Sequence, residues 1–161
     1  SISSKANELK NKGIDIINFS AGEPDFNTPE NIKRMGIDAI EKNFTRYTPA
    51  SGSSELKDAI CQKLKKENGI DYEKEEVIIC NGAKQALTNA FLAILNEGDE
   101  VLLPSPYWIS FEEQIKLCGG RPIIINTRKE DDYKITAKRL ENNITKKTKA
   151  IVLNYPANPD G

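Results

Sequence analysis

The stretch that most constrains the fold is Glu76–Leu95, which reads EVIICNGAKQALTNAFLAIL. Its first part, Val77–Cys80, is a short apolar run rich in β-branched residues, which is typical of a buried strand. Its second part is apolar at helical spacing and on several sides, which predicts a helix in a protein interior. Gly82 stands between the two parts and permits a sharp turn. The sequence therefore predicts a strand, a tight turn and a buried helix.

The turn Asn81–Lys84 has two interpretations. The backbone N–H groups that begin a helix lie at the positive end of its dipole, which favours a bound phosphate. The alternative is a tight connection without a ligand, in which Lys84 is a solvated lysine. The chain has neither GxGxxG after a strand nor GxxxxGK[ST], which disfavours a dinucleotide or nucleoside triphosphate site.

Composition excludes several classes of function. The net charge of the 161 residues is −1, which gives no electrostatic reason to expect nucleic acid or a membrane surface as a partner. No apolar run has membrane-spanning length, and no signal-peptide pattern opens the chain. With three scattered cysteines and no histidine, neither a metal site nor a histidine-based catalytic triad is expected. Free thiols favour a cytoplasmic location.

Helices and strands alternate along the rest of the chain. The predicted helices are Ser1–Gly13, one capped by Thr28 with Pro29 as its first residue, one capped by Ser53 or Ser54 and ended by Asn68–Gly69, Tyr107–Cys118 and Thr136–Ile144. The predicted strands are Ile14–Phe19, Val101–Leu103, Pro122–Asn126 and Lys149–Asn154. This alternation predicts an α/β fold with a parallel sheet covered on both faces.

Ligands of such sheets bind outside the carboxyl ends of the strands. Asn81–Lys84, Ser105–Trp108 and Tyr155–Gly161 all follow predicted strands, so we expect them at one edge of the sheet. There, Trp108 can stack on a planar ligand or be a core aromatic. Asn158 can hydrogen-bond a ligand or only stabilise its own turn.

Five motifs occur in an order that resembles the class I pyridoxal-phosphate-dependent aminotransferases, especially the bacterial and archaeal aspartate aminotransferases. They are Asn18–Phe26, Tyr47–Gly52, Asn81–Ala86, Pro106–Trp108 and Asn158–Gly161. The resemblance implies the three-layer α/β/α large domain of fold type I, in which the first strand, Val77–Cys80, is separated from the later ones. It assigns residues 31–161 to that domain, and residues 1–30 to an N-terminal segment of the small domain with an active-site loop.

The resemblance also implies pyridoxal 5′-phosphate as the cofactor. The residues that would bind it are Gly82, Ala83 and Lys84 at the phosphate, Trp108 on the ring, Asn158 at the phenolic oxygen, and Tyr47 from the second subunit of a homodimer. Substrate would contact Gly22, Trp108 and Asn158. Asp160 stands where the family usually has threonine.

The implied reaction of the intact protein is amino transfer from an amino acid, best L-aspartate, to a 2-oxo acid, best 2-oxoglutarate. Aromatic or alanine-type substrates remain open, as does a non-catalytic module that binds pyridoxal phosphate or another phosphate ligand. The family's Schiff-base lysine is expected downstream of Gly161, so no catalytic residue is assigned within this chain.

This expectation is testable on the 161-residue chain itself. Incubation with pyridoxal phosphate and borohydride is expected to give no stoichiometric pyridoxyl-lysine adduct, because Lys84 belongs to the phosphate site. Mass spectrometry of the peptides checks this result. A single lysine that is labelled in every molecule would contradict it.

Overall fold

The computed structural model describes residues 2–17, 22, 24–159 and 161. They form two compact units, residues 1–47 (the N-terminal unit) and residues 48–161 (the sheet unit). Part of the first motif, Asn18–Ala21 and Glu23, and also Asp160, lie outside the described residues. Among the described helices, none has the length and apolar character needed to cross a membrane.

The N-terminal unit contains two helices. Helix α1 spans Ile2–Asn11 and ends before Gly13, whose φ is +77°, as the sequence predicted. Helix α2 spans Glu30–Glu41, and the predicted cap was wrong. Pro29 is the N-cap because its ψ of 143° keeps it extended, so the helix begins one residue later than expected.

The strand predicted at Ile14–Phe19 was also wrong in its described part. Ile14–Ile17 are not in a strand, and Ile17 leaves 82% of its surface exposed. An isolated apolar run does not become a strand without a partner that satisfies its backbone groups. Asn18 and Phe19 lie outside the described residues.

The sheet unit begins with a helix whose two ends were predicted correctly. Helix α3 spans Ser54–Lys63, and Ser53 Oγ accepts a hydrogen bond from the Leu56 N–H at 3.3 Å. A π-helical turn continues it over Leu64–Asn68 and ends at Gly69, with φ +68°. Local capping signals therefore determined this helix.

Val77–Cys80 is extended but does not form a ladder. Val77 has φ −110° and ψ 130°, and the Ile79 N–H donates to Ser51 O at 2.9 Å. A Cβ on Gly52, whose φ is +104°, would overlap the Ile79 side chain. The segment is therefore extended but unpaired, and the predicted lack of pairing with Val101, Ile123 and Ile151 is confirmed for the strands of the described residues.

The sheet has three parallel strands in the order β2–β1–β3. Strand β1 spans Glu100–Ser105, β2 spans Arg121–Asn126 and β3 spans Thr148–Ile151. The β3 prediction was too long and its burial was wrong. β3 is an edge strand of the described sheet, where Ile151 is 37% exposed and Leu153 beyond it is 56% exposed.

Two helices cover one face of the sheet. Helix α4 spans Gly82–Ile94 and α5 spans Ser110–Leu117. The core on this face consists of Phe91, Leu95, Val101, Leu103, Phe111 and Ile115. On the opposite face, Leu102 lines a groove with Leu140 of helix α6, which spans Ala137–Glu141.

Three helix predictions need correction. α4 is not interior on several sides, because only its Leu87, Phe91 and Leu95 side packs on the described core, and Leu92 is 62% exposed. α5 begins at Ser110 and not at Tyr107. α6 ends at Glu141 and not at Ile144, because the Asn143 side chain donates to Arg139 O at 2.8 Å and caps the helix there.

Burial predicts which α5 side chain stabilises the sheet unit. Ile115 is fully buried, whereas Leu117 is 78% exposed on the same helix. Ile115→Ala is expected to lower the free energy of unfolding by about 2–5 kcal/mol because it removes core contacts and leaves a cavity. Leu117→Ala is the matched control, with an expected change of less than about 0.5 kcal/mol. Urea denaturation measures both values, and equal losses would contradict the assigned core.

Candidate active site

The first turn of α4 is an open, positively polarised helix end. The chain turns at Gly82, which has φ +81° and nothing within 4 Å of the position of a Cβ. α4 has no side-chain cap and no acidic residue in its first turn, whereas Ser53 caps α3 and Thr136 caps α6. The Gly82 N–H donates to Cys80 O at 2.8 Å, so the groups available to an anion are the N–H groups of Ala83 and Lys84.

Lys84 and Trp108 meet beside this turn. The Lys84 Nζ lies 5.0 Å from the centroid of the indole ring, which is within the range of a cation–π contact. Trp108 is half-buried, and its ring meets the Phe111 ring edge-on at 5.5 Å and 87°. The α4 turn and the indole are therefore neighbours, as predicted from their positions after strands.

Asn158 lies near the carboxyl ends of β1 and β3. Its side chain is exposed, and the Gly161 N–H donates to Ala157 O at 2.9 Å in the turn that contains it. A cavity at this end of the sheet is lined by Leu103, Pro104, Pro106, Tyr107, Phe111, Tyr133, Val152, Leu153, Asn154, Tyr155, Ala157 and Asn158. Since Phe111 contacts both this cavity and Trp108, the Asn158 turn and the indole are at the same edge of the sheet.

A charged pair orders the segment around Trp108. The Tyr107 hydroxyl donates to Glu112 Oε2 at 2.6 Å, and Lys116 Nζ lies 2.7 Å from Glu112 Oε1. Burial, reinforced by the Glu112 carboxylate, raises the pKa of Tyr107 to about 12. The hydrogen bond from Lys116 lowers the pKa of Glu112, so the carboxylate stays ionised and holds the phenol in place.

The other two predicted site residues belong to the N-terminal unit. Tyr47 has a fully exposed side chain, with a relative accessibility of 106%. Gly22 is exposed, and a Cβ at this position would meet nothing within 4 Å. In the described ranges, no group of three or more histidine, cysteine, aspartate or glutamate side chains is arranged to hold a metal ion.

Residues 14–161 match the family described as aminotransferase class I and II. The chain belongs to this family. It is 51% identical over 160 residues to the aspartate aminotransferase of Bacillus sp. (strain YM-2), covering 99% of this chain and 41% of that protein. It is 52% identical over 160 residues to a probable aspartate/prephenate aminotransferase of Rhizobium leguminosarum bv. phaseoli, covering 99% and 40% respectively. The chain thus spans about two fifths of the length of these relatives.

Solved structures show the same fold. The aspartate aminotransferase from Rhizobium meliloti superposes with a TM-score of 0.94 at 43% identity, over 98% of this chain and 40% of that one. The Thermus thermophilus aspartate aminotransferase with maleate gives 0.92 at 42% identity, over 98% and 41%. The predicted α/β fold, with the parallel sheet of the fold type I large domain, is confirmed for this chain.

Several contacts that organise this site were not predicted from the sequence. Glu112 and Lys116 have the i,i+4 spacing of a helical ion pair, so their contact could have been predicted from the sequence. The hydrogen bond from Tyr107 to Glu112 could not have been predicted, because the sequence placed Tyr107 inside the helix, whereas it precedes α5 in the structure. Phe111 and Gln114 give no local signal beyond an amphipathic helix.

The raised pKa of Tyr107 is a testable property of this member of the family. A phenol with a raised pKa adds stability below about pH 10, its ordinary value, and this contribution is lost as the pH rises through about 12. Glu112→Gln is expected to bring the pKa of Tyr107 down toward 10.0. Tyrosinate absorbance, taken as the difference between each protein and its Tyr107→Phe variant, measures it. Glu113→Gln is the control, and an equal fall there would contradict the assignment.

Proposed function

We propose that the whole protein transfers the amino group of L-aspartate to 2-oxoglutarate with pyridoxal 5′-phosphate as its cofactor. The observation that supports this most is the contact between the uncapped α4 turn, Lys84 and Trp108 in a chain of the aminotransferase family. Aspartate is favoured because several relatives at 48–51% identity are named aspartate aminotransferases.

The donors of the α4 turn fit the phosphate of this cofactor. Gly82, Ala83 and Lys84 begin a helix with no side-chain cap and no acidic residue in its first turn. The Gly82 N–H donates to Cys80 O at 2.8 Å, so a dianion would be bound by the N–H groups of Ala83 and Lys84. Gly82 leaves the approach open, since nothing lies within 4 Å of a Cβ there. Lys84 adds a positive charge close to the same turn.

The ring of the cofactor would be held by Trp108 and Asn158. The indole is fixed from one side by the Phe111 edge and from another by the Lys84 ammonium, so it can offer a flat apolar surface to a stacked pyridine. The Asn158 amide can donate a hydrogen bond to the phenolic oxygen and contact the substrate. When bound, pyridoxal phosphate supplies a ring that accepts electrons and stabilises negative charge at the substrate α-carbon.

Two further residues complete the proposal. The exposed Gly22 would donate its backbone N–H to the substrate carboxylate, and the exposed Tyr47 would reach the phosphate of a second copy in a homodimer. We assign residues 1–30 to the small-domain segment and residues 31–161 to the cofactor-binding domain. A cytoplasmic location belongs to the same proposal.

Prephenate is a second candidate for the 2-oxo acid. Relatives from Rhizobium leguminosarum bv. phaseoli and Aquifex aeolicus, at 52% and 48% identity, are named probable aspartate/prephenate aminotransferases. Comparison of initial rates with aspartate as donor and 2-oxoglutarate or prephenate as acceptor separates the two reactions.

The visible spectrum of the full-length protein tests the proposal. We expect a cofactor band that changes when L-aspartate is added, because the cofactor takes up the amino group of aspartate. The band is expected to return when 2-oxoglutarate is added, because the amino group then passes to the 2-oxo acid. L-phenylalanine and L-alanine are the comparison donors, and D-aspartate is the negative control. A band that no amino acid changes would indicate a non-catalytic cofactor-binding module. The absence of any band after incubation with pyridoxal phosphate would favour a different phosphate ligand.

A further inference from the structure

Gln114 connects the two helices that border the proposed cofactor site. It lies on α5 and is only 8% exposed. Its Nε2 donates to Lys84 O at 2.7 Å and to Thr88 Oγ1 at 2.8 Å. Thr88 Oγ1 in turn donates to Lys84 O at 2.8 Å. One buried amide therefore attaches α5 to the first turn of α4, thirty residues earlier in the chain.

The same helix holds the indole. The Phe111 N–H donates to Trp108 O at 3.0 Å, and the Phe111 ring meets the indole edge-on at 5.5 Å. The Lys84 side chain then returns to the indole at 5.0 Å. Contacts thus form a closed circuit from the Lys84 carbonyl through Gln114 and Phe111 to Trp108, and back to Lys84.

As a contact for stability alone, Gln114 is a poor choice. Its Oε1 is buried and has no hydrogen-bond partner among the described residues. A buried acceptor without a partner opposes folding. An apolar side chain of similar length would fill the space without that cost. What Gln114 provides is a fixed orientation of α5 relative to the first turn of α4, through its two donated hydrogen bonds.

We infer that Gln114 is a positioning residue of the proposed cofactor site. It sets the distance and tilt between the α4 turn, where the phosphate would bind, and the indole, where the pyridine ring would stack. Because only a short –CH2–O– link joins the pyridine ring of the cofactor to its phosphorus atom, the sites for the ring and for the phosphate must lie within a narrow range of distances. This inference rests on the proposed function.

The test is Gln114→Met in the full-length protein, because methionine keeps the length and removes both donors and the unpartnered acceptor. The dissociation constant for pyridoxal phosphate is expected to rise roughly 5- to 10-fold. The visible circular dichroism of the bound cofactor is expected to change, since it reports the tilt of the ring. The thermal midpoint of the cofactor-free protein is expected to stay equal or rise. Gln62→Met, at an exposed glutamine of α3, is the matched control and is expected to change none of these.

Thr88→Val tests the same network from the other helix. It removes the hydroxyl that Gln114 and Lys84 share, so it is also expected to raise the dissociation constant. Its effect is expected to be less than additive with that of Gln114→Met, because both break one network. Thr88→Val keeps the inference falsifiable if the methionine variant does not fold.

The outcomes separate the inference from the proposed function. A lower thermal midpoint with unchanged cofactor affinity and unchanged circular dichroism would show that Gln114 is only structural, and would overturn the inference. Unchanged affinity in Thr88→Val would overturn it too. If the wild-type protein itself does not bind pyridoxal phosphate, the proposed function fails and the inference fails with it.

Discussion

The burial of β1 is the constraint on which the rest of the sheet unit depends. Val101, Leu102 and Leu103 are 0%, 2% and 1% exposed, and β1 is the strand that pairs with both β2 and β3. Val101 and Leu103 of β1 belong to the same core cluster as the apolar side chains of the α4 and α5 face. The direction of β1 therefore determines where the segment after it, from Pro106 to Trp108, leaves the sheet.

Helix α5 connects the buried core to the candidate site. Ile115 faces the core and is fully buried, which fixes the helix against the sheet. The residue before it, Gln114, then points to the first turn of α4, and Phe111 one turn earlier contacts the indole. Three residues of one short helix thus make three different contacts: Ile115 packs in the core, Gln114 donates hydrogen bonds to α4, and Phe111 contacts the indole. Precise placement of the site follows from packing of the core, because a rotation of α5 would displace all three contacts together.

Much of this architecture could be predicted from the sequence because the signals are local. The Ser53 cap, the strand Arg121–Asn126 and the left-handed Gly82 follow from short-range rules. The errors occurred where a long-range partner decides the outcome. Ile14–Ile17 has strand composition but is not in a strand, because no partner satisfies its backbone groups. The phenol of Tyr107 and the amide of Gln114 belong to the site because of contacts that form when the helices pack together, and the sequence does not show these contacts.

The helices of the sheet unit differ in how their first turns are capped. α3 and α6 each begin at a hydroxyl that accepts a hydrogen bond from their first turn, and such a cap contributes about 1 kcal/mol. α2, α4 and α5 have none, and of these three only α4 also lacks an acidic residue in its first turn, which adjoins Trp108. An anion at this turn would satisfy the same N–H groups that a serine satisfies elsewhere. Ligand binding and helix stability are then coupled, because whatever binds the folded state alone also stabilises it.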